Sequence, residues 1–206
     1  TVNLAALCHT ARVSRADFDY RLSMVGDSAE NLQAKLLAFA QGLDSAEKAA
    51  VVLDKRPKIA FLFTGQGSQY LQMGRELYEN NPIFRAVIER SEPIAQQVLG
   101  RSLIDLIYPA SEPTHNDLME SHPCGQIANF VIECALADVW RSWGIEPDCV
   151  LGHSLGDFAA AYTAGTLSLE DGVRLVGERG RLMETAVGQM VSVLASEAEV
   201  LPFVEG

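Results

Sequence analysis

Basic residues are scarce in this 206-residue sequence: 16 Lys and Arg stand against 27 Asp and Glu, a formal charge of −11. A surface of that sign repels phosphate backbones, which argues against a nucleic-acid partner. It also means that an anionic substrate must be captured by local cations, not by the overall field. Long apolar runs are missing too. Nothing approaches the ~20 residues a membrane-spanning helix needs, and the start of the sequence has no signal-peptide pattern, so no membrane partner is expected. Cysteine is sparse, and Cys8, Cys124, Cys134 and Cys149 show no C-x-x-C spacing. That excludes a disulfide-stapled secreted scaffold and a zinc cluster; free thiols in a cytoplasmic protein are the expectation, with no metal. What remains, 48% hydrophobic and 21% charged residues, is the composition of an ordinary globular chain long enough to bury a core.

Periodicity divides the chain. Phe18, Tyr20, Leu22 and Met24 alternate with polar residues, the period-two signal of a half-buried strand. Asp27-Ser28-Ala29-Glu30 reads as a capping box, followed by Leu32, Leu36, Leu37 and Phe39 at helical spacing as far as Gly42. Residues 1–56 therefore read as a small α/β unit with a connection through Lys55-Arg56-Pro57. Beyond it, Ile59-Ala60-Phe61-Leu62-Phe63 is a continuous apolar run, predicting a strand covered on both faces. Helical patterns follow over 70–80, 83–98, 125–143 and 169–187, then a strand over 190–194 and a helix opening at Ser196. Strands alternating with helices imply an α/β fold with a mainly parallel sheet.

The most informative stretch is Gly152-His153-Ser154-Leu155-Gly156. It follows the apolar Cys149-Val150-Leu151 and precedes a helical segment, the strand–turn–helix context of a nucleophile elbow. Flanking glycines permit the sharp turn that lifts Ser154 into a cleft, and the helix behind it aims free N–H groups at an anion. A serine hydroxyl needs a base and oxyanion donors to act. The Leu155 N–H, directly after the nucleophile, is one candidate donor. The Gln66 N–H, in the Gly65-Gln66-Gly67 turn after the 59–63 strand, is the other. A dinucleotide-binding reading of that turn fails, because Tyr70 stands where the third glycine is required.

Arg179 departs from its surroundings. Its helical neighbours Leu175, Val176, Leu182 and Met183 are apolar, whereas Arg174 and Arg181 share a polar face with Glu178. An arginine in an apolar stripe calls for a carboxylate or phosphate, or for an internal ion pair. Gln126, near the start of the 125–143 helix, would by default be an exposed first-turn residue. All four histidines, His9, His115, His122 and His153, precede or adjoin Ser154 and none follows it. The elbow points His153 away from the hydroxyl, and His115 and His122 lie in a polar segment, so the base lies beyond Gly206 or the serine works without a Ser-His pair.

Three motifs in sequence order, Thr64-Gly65-Gln66-Gly67-Ser68-Gln69, Gly152-His153-Ser154-Leu155-Gly156-Asp157 and Glu178-Arg179-Gly180-Arg181-Leu182-Met183, resemble the acyltransferase domain of a modular type I polyketide synthase. Malonyl-CoA:acyl carrier protein transacylases share these motifs. The resemblance makes residues 1–56 the ketosynthase–acyltransferase linker and 57–188 an α/β-hydrolase-like large subdomain. Residues 189–206 become the incomplete start of a ferredoxin-like small subdomain. It implies that Ser154 takes an acyl group from acyl-CoA and passes it to the phosphopantetheine thiol of an acyl carrier protein. Gln66 and Leu155 would hold the oxyanion. Arg179 would bind the free carboxylate of the extender unit, Gln126 would be the active-site glutamine, and His153 would line the pocket. The family's catalytic histidine would fall downstream of Gly206. No bound cofactor is implied, and the partners are the carrier protein and a neighbouring ketosynthase. Leu155, where methylmalonyl-type domains often carry glutamine, favours malonyl; Asp157 replaces the more usual glutamate. An α/β-hydrolase-type esterase or thioesterase is the rival enzyme, but one acting on neutral esters has no use for Arg179. A non-catalytic scaffold is the third reading.

Overall fold

The computed structural model describes residues 3–16, 18–42, 50–51, 56–111, 121–186 and 193–204. They fall into two compact units, Thr1–Pro57 and Lys58–Gly206. The first contains helices α1 (Leu4–Val13) and α2 (Ala29–Ala40) and the short antiparallel strands β1 (Tyr20–Arg21) and β2 (Ala50–Val51), with Tyr20 opposite Val51. Asn3 caps α1 by accepting the Ala6 N–H, a helix that the alternation-based reading of this region does not predict. Ser28 caps α2 by accepting the Asn31 N–H at 3.1 Å, so of the predicted box it is Ser28 that makes the cap. The strand expected over 18–24 is reduced to two exposed residues, because its described partner offers only two rungs.

In the second unit, β3 (Ala60–Phe63) and β4 (Cys149–Gly152) run parallel in the register Ala60 to Cys149 and Phe63 to Gly152. Asp148 fastens the start of the pair, its carboxylate accepting the Ile59 N–H at 2.7 Å. Five helices lie between and after the strands: α3 (Arg75–Asn80), α4 (Pro82–Leu99), α5 (Leu103–Ile107), α6 (His122–Ser142) and α7 (Gly156–Thr163). Then come α8 (Leu169–Thr185) and α9 (Glu197–Val204). The class is α/β with a parallel pair, as the alternation of elements predicts.

The centre is α6, buried without interruption from Pro123 to Ala135 and packed by α4, α7 and α8. A helix enclosed on all sides is apolar on all sides, and its few polar residues must therefore find partners. Asn81 starts α4 with its side chain accepting from Ile83 and Phe84 N–H, Pro82 fills the first helical position, and Gly100 closes the helix at φ 73°. Ser168 likewise caps α8 through the Asp171 N–H.

Three expectations are corrected. The 59–63 strand is covered on one face only: Phe63 packs into the core, while the in-register pair Leu62 and Leu151 is 72% and 66% exposed. An apolar run signals a strand but does not say what covers it. The 70–80 helix starts only at Arg75, after a turn through Gly74 at φ 71°. Trp140 and Trp143, apolar residues of the predicted 125–143 helix, are not buried with the rest of it but exposed, and meet edge to face. The 190–194 strand and His115 fall wholly or largely outside the described residues; Val193 and Leu194, which are described, carry no strand.

Candidate active site

The C-terminal ends of β3 and β4 stand side by side, so the loops that follow them meet. His153 N–H closes on the Phe63 carbonyl at 3.0 Å, after which the chain turns sharply into α7. Ser154 is in the left-handed region at φ 53°, a strained conformation for a residue with a side chain. Small neighbours are mandatory there. A Cβ on Gly156 would lie 2.5 Å from the Phe63 carbonyl oxygen, and one on Gly152 would overlap the Asp157 N–H. This is the geometry of the elbow predicted from G-x-S-x-G. Ser154 is exposed at its tip, and Leu155, fully buried, forms the N-cap of α7.

Opposite the elbow, the loop 64–68 and His153 line a cavity of about 460 Å³. Gln66 is exposed in this loop, and the Gly67 N–H beside it donates to Gln69 Oε1 at 2.8 Å. Both predicted donor positions, Gln66 and Leu155, thus lie in the two loops that leave the ends of the paired strands.

Arg179 arrives from α8. Its Nη2 donates to Ser154 Oγ at 3.2 Å and its Nη1 to Gln126 Oε1 at 2.7 Å. Of the apolar stripe around it, Val176 is in the core and the rest faces a cavity. Leu175 and Leu182 are 48% and 62% exposed and, with Phe158 and Met183, line a cavity of about 430 Å³ beside the half-buried arginine. Arg181 pairs with Glu178 and Arg174 with Asp171 on the solvent side, whereas no carboxylate lies within ion-pair distance of Arg179 among the described residues.

Gln126 is not an exposed first-turn residue but fully buried. Its amide links Arg179 to the 64–68 loop: Nε2 donates to Gln66 Oε1 at 3.1 Å, and Gln66 Nε2 pairs with His122 Nδ1 at 2.6 Å. The polarity is uniform, each amide accepting from one side and donating to the other, which fixes His122 Nδ1 as the final acceptor.

Two further residues, Asn129 and Glu133, escaped the sequence reading. Asn129 Nδ2 donates to the Gly65 carbonyl, and its Oδ1 accepts from Ser68 Oγ at 3.0 Å. Glu133 Oε1 accepts both the Thr64 N–H at 2.6 Å and the Thr64 hydroxyl at 2.7 Å. Burial pushes the Glu133 carboxyl above its ordinary range, with the two Thr64 bonds pulling the other way. The available signal was spacing: Gln126, Asn129 and Glu133 recur at i, i+3 and i+7 in an otherwise apolar helix.

None of the described histidines hydrogen-bonds to Ser154 Oγ; His153 is exposed and His122 is engaged by Gln66. Cys134 is no rival nucleophile, since burial pushes its thiol well above the ordinary range. No group of three or more metal-ligating side chains converges among the described residues. No helix there is long and apolar enough to cross a membrane.

Comparison with known proteins agrees with this geometry. The family described as "Acyl transferase domain" matches residues 60–200, and that described as "CurL-like, PKS C-terminal" matches 1–36. Polyketide synthase GfsE of Streptomyces halstedii is 41% identical over 202 residues, 93% of this chain but only 5% of that protein. The solved acyl transferase domain of ZmaA superposes with a TM-score of 0.83 at 33% identity, covering 98% of this chain and 47% of that one. A malonyl-transacylase solved in complex with its type II polyketide synthase acyl-carrier protein gives a TM-score of 0.56 at 32% identity, over 65% and 41% of the respective chains. The chain thus spans about half the length of the solved ZmaA domain and a small fraction of the curated synthase.

Proposed function

This chain belongs to the acyl transferase domain family, and from that premise we propose that it loads a carboxylated extender unit, malonyl in preference, from acyl-CoA onto an acyl carrier protein. The observation that carries the reading is Arg179. A half-buried guanidinium whose contacts are a neutral amide and a neutral hydroxyl, 3.2 Å from the nucleophile, is an acceptor site for an anion. A carboxylate is a far stronger partner for its fork than either oxygen, so a malonyl carboxylate would draw the fork off Ser154 and place the thioester carbonyl over the freed hydroxyl.

In the proposed cycle, Ser154 Oγ attacks the thioester carbon and its proton passes to a general base, a histidine by the family resemblance. The carbonyl electron pair moves onto oxygen, where the Gln66 and Leu155 N–H groups stabilise it. Collapse breaks the C–S bond, and the CoA thiolate takes the proton from the base. The carrier protein's phosphopantetheine thiol then gives its proton to the same base and attacks the ester, and Ser154 Oγ leaves and regains its proton. Gln126 holds Arg179, and His153 lines the cavity beside the loop. The residues 1–56 serve as the linker to a neighbouring ketosynthase, and the whole acts in the cytoplasm.

Intact mass spectrometry after brief exposure to malonyl-CoA tests the reading. A malonyl-sized increase that is absent from Ser154→Ala, and that disappears on adding carrier protein, is the expected result. A persistent adduct in Ser154→Ala removes Ser154 from its role, and loss of the adduct to water alone makes the protein a hydrolase.

A further inference from the structure

A parallel ladder leaves donors unpaired at its end. β3 and β4 stop pairing at Phe63 and Gly152, and the next donor along β3 is the Thr64 N–H. Such a donor must be met by water or by another group of the protein. Here the acceptor is not backbone but Glu133, reaching from the fully packed face of α6 and taking the Thr64 hydroxyl with the same oxygen. Its other oxygen, Oε2, is buried and has no hydrogen-bond partner among the described residues. A carboxyl group set in a core with half of its acceptor capacity idle is a poor choice for stability alone, since burying it is unfavourable and an apolar residue would pack as well.

Thr64 is the residue from which the Gly65-Gln66-Gly67 turn springs. With Asn129 holding the Gly65 carbonyl and Ser68, α6 grips this turn at both ends, and Glu133 sets its first residue by two bonds to one oxygen. The Gln66 N–H lies between those grips. We propose that Glu133 is a positioning residue for oxyanion stabilisation, fixing Thr64 from below so that the Gln66 N–H is aimed before substrate arrives. The proposal rests on the reading of Gln66 N–H as an oxyanion donor. Preorganised donors accelerate a reaction only while they stay aimed at where charge develops, and a misplacement of about 1 Å can lose on the order of a hundredfold. Glu133 acts on the transition state through Thr64 and Gln66, and does not touch substrate.

The test is single-turnover acylation of Ser154 by malonyl-CoA, measured on the full-length protein for the parent, Glu133→Ala, Glu133→Gln and Thr64→Val. Glu133→Ala should slow the maximum acylation rate by about tenfold or more while the half-saturating malonyl-CoA concentration stays within about threefold. Glu133→Gln retains a carbonyl acceptor for Thr64 and should stay within about threefold of the parent. Thr64→Val keeps the N–H bond to Glu133 but loses the hydroxyl bond to it, together with the 2.8 Å contact between the Thr64 and Ser68 hydroxyls, and should fall between them. A merely structural glutamate predicts neither the rescue by glutamine nor a loss confined to the maximum rate. The proposal is overturned by a parent-like Glu133→Ala, by a loss confined to half-saturation, or by a Glu133→Gln as slow as Glu133→Ala. Should Glu133→Ala not fold, Thr64→Val decides alone: a slower maximum rate at unchanged half-saturation sustains the proposal, and a parent-like rate ends it. A parent that forms no acyl-serine refutes the underlying reading and this proposal together. A parent that acylates normally beside a parent-like Glu133→Ala refutes this proposal only.

Discussion

Arg179 Nη2 rests on Ser154 Oγ at 3.2 Å, so the cation proposed to select the substrate also covers the proposed nucleophile. The arrangement separates substrates by whether they can displace that contact. Malonyl-CoA carries a second carboxylate to engage the fork; acetyl-CoA carries none. Arg179→Ala should therefore slow malonyl loading by about ten- to a hundredfold, the worth of one charge-assisted hydrogen bond at ~1.5–3 kcal/mol, while acetyl loading changes little. Arg179→Lys keeps the charge without the fork and should recover only part of the loss. Parallel acylation assays with the two thioesters give the answer, and an equal loss for both would make Arg179 a structural residue.

How Arg179 reaches the serine gives a second prediction. α8 approaches the first turn of α6 so closely that a Cβ on Gly180 would lie 2.5 Å from Pro123 Cα and 2.9 Å from the His122 carbonyl carbon. Those are backbone atoms and cannot rotate aside. Glycine within a helix forfeits about 0.5–1 kcal/mol relative to alanine, but overpacking of this kind costs about 1–3 kcal/mol, so Gly180→Ala should be net destabilising. Gly180→Val should be worse on both counts. Thermal unfolding should show the loss. Malonyl loading should fall further than stability does, because moving α8 outward lengthens the Arg179 contacts with both Gln126 and Ser154.

The elbow was legible in the sequence because its geometry is local: a strand, two glycines and a helix fix it whatever surrounds them. Arg179 was legible as a mismatch between residue type and position, although the pattern misidentified its neighbours. Leu175 and Leu182 line a cavity and are not core, and periodicity cannot tell one from the other. Gln126 was placed in the site only through resemblance, since glutamine in a first turn is ordinarily solvated and only tertiary packing buries it. Asn129 and Glu133 were passed over because an apolar helix was read by its apolar members; the contacts that explain them span 61 and 69 residues. Coverage of the β3–β4 sheet was beyond sequence for the same reason, as it depends on which elements pack on each face.

Buried Glu133 also sets a pH dependence of stability whose sign follows from its surroundings. Burial raises its pKa above the ordinary value of 4.5, the two Thr64 bonds only partly opposing it. Below that ordinary value the carboxyl is protonated both in the folded protein and in the unfolded chain, and it imposes no penalty. As pH rises, the unfolded chain releases the proton into water while the folded protein still holds it, so unfolding is increasingly favoured until the folded carboxyl ionises too. Glu133→Gln has no proton to lose at this position. The other carboxylates titrate alike in parent and variant, so the difference between them isolates Glu133. Denaturant unfolding from about pH 4 to about pH 8 should show the stability gap moving steadily in favour of Glu133→Gln, with most of the change starting near the ordinary carboxylate range. A gap that stays flat would mean that the Thr64 bonds compensate burial in full and that Glu133 is already ionised at its ordinary pKa. A gap moving the other way would require a cation facing Oε2.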